Sequence, residues 1–98
     1  NNYVMKPGSD FDGRWTIKNT GSTTWGQSEA DFYYVSGTKF QTNFDVIDLP
    51  ASISNGNSMD LIIDMLAPTG EGTYSTTWAL RMSGVSFCFV NLTIVVKN

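Results

Sequence analysis

The stretch Gly72-Thr73-Tyr74-Ser75-Thr76-Thr77-Trp78-Ala79-Leu80 decides the fold of this chain. Tyr74, Thr76, Trp78 and Leu80, continued by Met82, fall on one side of an extended segment, with Ser75, Thr77 and Ala79 on the other. That period of two marks a half-buried strand. Pro68 and Gly70 punctuate its start and Ser83-Gly84 its end,. The same alternation recurs on both sides. Met59, Leu61, Ile63 and Met65 alternate with Asp60, Ile62, Asp64 and Leu66, after the turn Ser54-Asn55-Gly56-Asn57. Nearer the start, Phe11, Gly13, Trp15 and Ile17 share a face opposite Asp12, Arg14, Thr16 and Lys18. Asn19-Thr20-Gly21-Ser22 breaks that strand, with Asn19 read as a turn former whose side chain bonds nearby backbone,.

Three further strands complete the pattern. One runs from Asp31 to Val35 and is closed by Ser36-Gly37; a short one runs from Phe44 to Leu49 and is stopped by Pro50. The last, from Ser86 to Val96, carries Cys88, Val90, Leu92, Ile94 and Val96 on an apolar face, with Phe87, Phe89, Asn91, Thr93 and Val95 opposite. Helical periodicity is absent. Short strands separated by turns at this spacing predict an all-β, antiparallel β-sandwich of about seven strands. Tyr74 adds a sharper signal, standing two residues before Thr76 at the spacing of a tyrosine corner, whose hydroxyl bonds the backbone upstream. In antibody domains the position of Thr76 holds a core cysteine, so the expectation is an immunoglobulin-like sandwich with no disulfide.

Composition bounds what such a domain can do. The 98 residues, 41% apolar and 13% aromatic, make a single domain over residues 1–98 with enough apolar mass for one two-layer core,. The opening Asn1-Asn2-Tyr3 reads as a domain excised from a larger protein. A net charge of −3 argues against nucleic acid, which asks for a basic face,. No apolar run is long enough for membrane insertion. Charged residues are only 15%, and Ser, Thr and Asn replace them in a manner common outside cells. The single Cys88 reads as a small buried apolar residue,.

Catalysis lacks its usual groups. There is no His, so imidazole-based triads are excluded and zinc clusters of Cys and His cannot form. Asp10/Asp12 and Asp60/Asp64 read as outward-facing surface charges rather than acid–base pairs. No cofactor or metal is expected.

The order Pro7-Gly8-x-x-Phe11-x-x-x-Trp15-x-Ile17-x-Asn19-Thr20-Gly21-x-x-x-Trp25, then Ala67-Pro68-x-x-x-Gly72-Thr73-Tyr74-x-x-x-Trp78-x-Leu80, resembles the four-tryptophan (FW) immunoglobulin-like domain family. That family is known from autophagy cargo receptors and from bacterial proteins. Trp15, Trp25 and Trp78 match its first three tryptophans; Val90-Asn91-Leu92 stands where the fourth belongs, and Cys88 where a Gly usually follows the strand's Phe. The resemblance implies a non-catalytic protein-interaction module. The neutral polar composition points to the bacterial branch, secreted or on the cell surface.

Candidate ligand-binding residues are aromatic. Phe11, Trp15, Ile17, Tyr74, Trp78 and Leu80 are expected in the core. Trp25, after a turn and among polar neighbours, is read either as packing over a loop or as partly exposed in a ligand-facing cleft. Tyr33 and Tyr34 point to opposite faces, so one should be exposed. Phe87 and Phe89, both opposite their strand's apolar face, would form an interaction patch with Tyr33 or Tyr34 if exposed, or else cover the sandwich rim. The ligand is expected to be a protein, with a polysaccharide or no ligand at all, as in a spacer domain, as the alternatives.

Overall fold

A computed structural model describes residues 2–42, 45–49 and 51–98. Seven strands follow in chain order: β1 (Asn2–Met5), β2 (Asp10–Lys18), β3 (Ala30–Gly37), β4 (Val46–Asp48), β5 (Ser58–Leu66), β6 (Gly72–Met82) and β7 (Val85–Val96). Five of them form one sheet in the order β1-β7-β6-β3-β4, and β2 pairs with β5 in the other. Phe44, where the strand running to Leu49 is expected to begin, and Pro50, expected to stop it, lie outside the described residues. Every pairing is antiparallel except that of β1, which runs parallel to β7 with Tyr3 beside Ile94 and Met5 beside Val96. The alternation in Asn2–Met5 is too short to have announced this strand.

The core forms where the alternating faces of the two sheets meet. Trp78, Phe32, Leu80, Leu61, Ile94 and Ala30 are fully buried there. Trp78 stacks on Phe32 with ring centroids 5.2 Å apart, and Trp15 meets the same Phe32 edge-on at 5.5 Å. Such offset and T-shaped contacts add roughly 0.5–1.5 kcal/mol beyond the area they bury. Of the expected core set, Ile17, Trp78 and Leu80 are buried, while Phe11, Trp15 and Tyr74 are half-buried and packed against the core.

Side chains that bond backbone hold the turns. The Tyr74 hydroxyl donates to the Gly70 carbonyl at 2.8 Å, which is the tyrosine corner. Buried Asn19 donates from Nδ2 to the carbonyls of Thr23 and Ile53, at 2.8 and 2.9 Å, and accepts at Oδ1 from the Gly21 N–H at 3.0 Å. Its amide is thus saturated within the fold, as a buried polar group must be. Ser83 and Gly84 both have positive φ, 54° and 78°, in the two-residue β6–β7 hairpin, as its right-handed twist demands,.

β7 does not alternate evenly. Trp78 pairs with Val90 and Leu80 with Phe87, so Cys88 and Phe89 together oppose Ala79. This is a β-bulge, and Cys88 sits in its left-handed position at φ 56°,. A glycine adopts such a φ most easily.

Candidate functional site

The bulge redistributes the aromatic residues expected to bind a ligand. One inserted residue reverses the facing of everything before it. Phe87 therefore turns inward beside Leu80, half-buried, and meets Trp25 with ring centroids 5.2 Å apart. Phe89 stays outward at 58% exposure. The expectation that Phe87 and Phe89 share one outward face is corrected by this slip.

Trp25 is buried at 8%. Its backbone exchanges both hydrogen bonds with Ile53, at 2.9 and 3.0 Å, which draws the indole under the loop and onto Phe87. Packing, not partial exposure, is its role in the fold. Tyr33 and Tyr34 do face opposite ways, but neither is fully exposed. Tyr34 packs edge-on against Trp78. Tyr33 lies on the outer face, its hydroxyl bonded to Ser86 Oγ and the Arg81 guanidinium 4.8 Å from its ring centroid. Across fully buried Ala79 from Tyr33 comes the bulge and Phe89. Of the four candidates, then, Tyr33 and Phe89 share a surface, while Trp25 and Phe87 belong to the interior.

A second feature escaped the sequence. The small sheet has two edges, and among the described residues only one is covered. Along β5, Leu66 N–H donates to the Phe40 carbonyl at 2.8 Å, and Gln41 bridges Met65. The edge of β2 carries no such partner among the described residues. Its facing follows from two bonds that continue the β2–β5 register: Ala67 N–H to Ser9 carbonyl, 2.8 Å, and Asn19 N–H to Asn57 carbonyl, 2.9 Å. In an antiparallel ladder, hydrogen-bonded pairs alternate. Odd-numbered β2 residues therefore direct their N–H and C=O groups at β5. Asp10, Asp12, Arg14, Thr16 and Lys18 direct theirs outward, over the empty edge.

Beneath that edge lies a shelf. β2 sits over β7, where the Trp15 Nε1–H donates to the Asn91 carbonyl at 3.1 Å. β1 lies beyond β7 in the large sheet, so the large sheet extends past the small one by the width of a strand. Tyr3 registers with Ile94, which is fully buried, yet Tyr3 itself is 53% exposed because no described strand covers it. Tyr3, Val4, Met5, Phe11, Arg14 and Leu92 are among the residues that line the resulting groove of ≈390 Å³.

Carboxylates cluster at one end. Asp12 pairs directly with Asp64 across the sheet, and with Asp10, Phe11 and Thr42 they line a second hollow of ≈430 Å³. Among the described residues none of these three aspartates is ion-paired, whereas Asp60 accepts from the Thr16 hydroxyl. No metal-holding cluster of His, Cys, Asp or Glu occurs among the described residues. Burial raises the pKa of the Cys88 thiol, so it stays protonated near neutrality and is a poor nucleophile,.

Comparison with known proteins agrees with this architecture. The chain is 30% identical over 84 residues to the Next to BRCA1 gene 1 protein of Mus musculus, covering 85% of the chain and 8% of that relative. It is 29% identical to the Homo sapiens protein of the same name over 84 residues, 85% of the chain and 9% of the relative. Protein JOKA2 of Solanum tuberosum is 29% identical over 87 residues, 86% of the chain and 10% of the relative. The chain thus spans about a tenth or less of the length of these relatives. The model of the family described as the Ig-like domain from next to BRCA1 gene matches residues 1–96, and the chain belongs to that family.

Proposed function

We propose that this chain is a non-catalytic protein-binding module. The observation that carries the reading is the β2 edge above the β1 shelf: backbone donors and acceptors without partners among the described residues, beside an apolar groove. Adding a strand to such an edge is a recurrent way of binding protein segments. The carbohydrate alternative asks for flat, exposed aromatic faces. Trp25 and Trp78 are buried and Trp15 is half-buried with its Nε1–H engaged, which leaves Phe89 as the exposed aromatic of the outer face. Placement outside the cell belongs to the same proposal and rests on the sparse charge, 15% of residues. A bacterial source draws no support from relatives found in mouse, human and potato.

The test is capture by the immobilised domain from cell extract and medium, run beside Tyr3→Glu on the shelf and Phe89→Ser on the opposite face. A protein retained by the parent and by Phe89→Ser but lost with Tyr3→Glu supports the reading. Retention of polysaccharide, or an empty column, defeats it in favour of an accessory or spacer domain.

A further inference from the structure

Resting on the protein-binding reading, the identity of the guest can be narrowed. We infer that the β2 edge receives a single extended segment of a partner protein in which apolar residues alternate with basic ones.

The single strand follows from the shelf. Whatever pairs with β2 must lie directly above β1, since β1 projects beyond β7 and β2 sits over β7. A second copy of this chain, presenting its own β2, would bring its own β7 down into the space that β1 occupies. The site has height for one strand and no room for a second sandwich. Mixed charges along the edge, Asp10, Asp12, Arg14 and Lys18, oppose indiscriminate edge pairing as well.

The alternation follows from the pleat. Side chains of an added strand point alternately into the groove and out beside β2's exposed residues. Those opposite Phe11 and Gly13 enter the apolar groove above Met5 and Leu92. Those opposite Asp10 and Asp12 emerge on the outer face, where Asp12 confronts Asp64 and neither is ion-paired among the described residues. A lysine or arginine there meets uncompensated carboxylates; an acidic residue would add to their repulsion.

The probe is the peptide acetyl-Thr-Val-Lys-Leu-Lys-Val-Thr-amide, with Glu replacing both Lys in a control. Titration into the labelled domain, followed by amide hydrogen exchange, is expected to show binding by the Lys peptide and slowed exchange at Asp10, Asp12 and Arg14. Gly13 and Trp15, whose N–H groups already face β5, should not change. Asp12→Lys combined with Asp64→Lys should weaken the Lys peptide about tenfold and favour the Glu peptide, through simple reversal of surface charge. Tyr3→Glu, which leaves β2 untouched, should abolish binding of both. Absence of binding at millimolar peptide, protection centred on Phe89 and Tyr33, or a concentration-dependent dimer undone by Asp12→Lys would each overturn the inference. A protein captured in the earlier experiment whose binding the peptide does not compete would overturn it too, while leaving the protein-binding reading intact.

Discussion

The two edges of the small sheet are built from similar strands and end in opposite states. β5 is covered by the chain's own residues Phe40 to Thr42, with Phe40 buried at 2% and edge-on to Phe11 at 5.7 Å. β2 is bare among the described residues, and its inner face is the less buried: Phe11 and Trp15 are half-buried where Leu61, Ile63 and Met65 of β5 are buried. The difference lies in what packs beside each edge. Under the covered edge a buried aromatic anchors the covering segment; under the bare edge an exposed Tyr3 waits over an empty shelf. An edge is closed when a neighbouring side chain supplies enough burial to fix the covering strand, since the backbone bonds alone are worth only about 1 kcal/mol each against water.

Removing the anchor should therefore make the two edges alike. Phe40→Ala is expected to cost about 3–5 kcal/mol in urea unfolding, and to raise amide exchange at Leu66, whose N–H bonds the Phe40 carbonyl. A loss below about 1 kcal/mol would show that the cover is held some other way. The next contrast lies within one register pair. Ile94→Ala should cost about 2–4 kcal/mol, while Tyr3→Ala, on the same face one strand over, should cost less than about 1 kcal/mol. Equal costs would mean that the shelf is occupied in solution. At the bulge, Cys88→Val should destabilise by roughly 1–2 kcal/mol, because a β-branched residue resists positive φ, while Cys88→Gly should be neutral or slightly stabilising. The same sign for both would remove the left-handed position from the account. Smallest is the carboxylate pair beside the bare edge. Asp12→Thr should raise stability by about 0.5 kcal/mol at low ionic strength, with the gain fading in salt. A gain indifferent to salt would point to strand propensity instead of repulsion.

Parts of this fold were legible because they are written locally. Tyr74 and Gly70, or Asn19 and Gly21, lie a few residues apart, so a side chain of the right type at the right spacing declares the turn. Trp78 and Leu80 declare a face through simple alternation. The bulge was hidden because a cysteine gives no sign of a positive φ. Without that slip Phe87 reads as outward, and the pairing of Phe87 with Trp25 could not be foreseen. The groove was hidden for a different reason. It depends on a parallel pairing between Asn2–Met5 and the far end of the chain, and on a strand that is missing from one sheet; no run of residues encodes either one.

The register of β1 with β7 also sets a time order for biosynthesis. The walls of the groove come from Tyr3 to Met5, from Phe11 to Arg14 and from Leu92. Residues that leave the ribosome first gain their floor only when nearly the last have followed. A half-made chain can fold neither the shelf nor the groove above it. The complete groove is thereby a report that synthesis has run past Leu92.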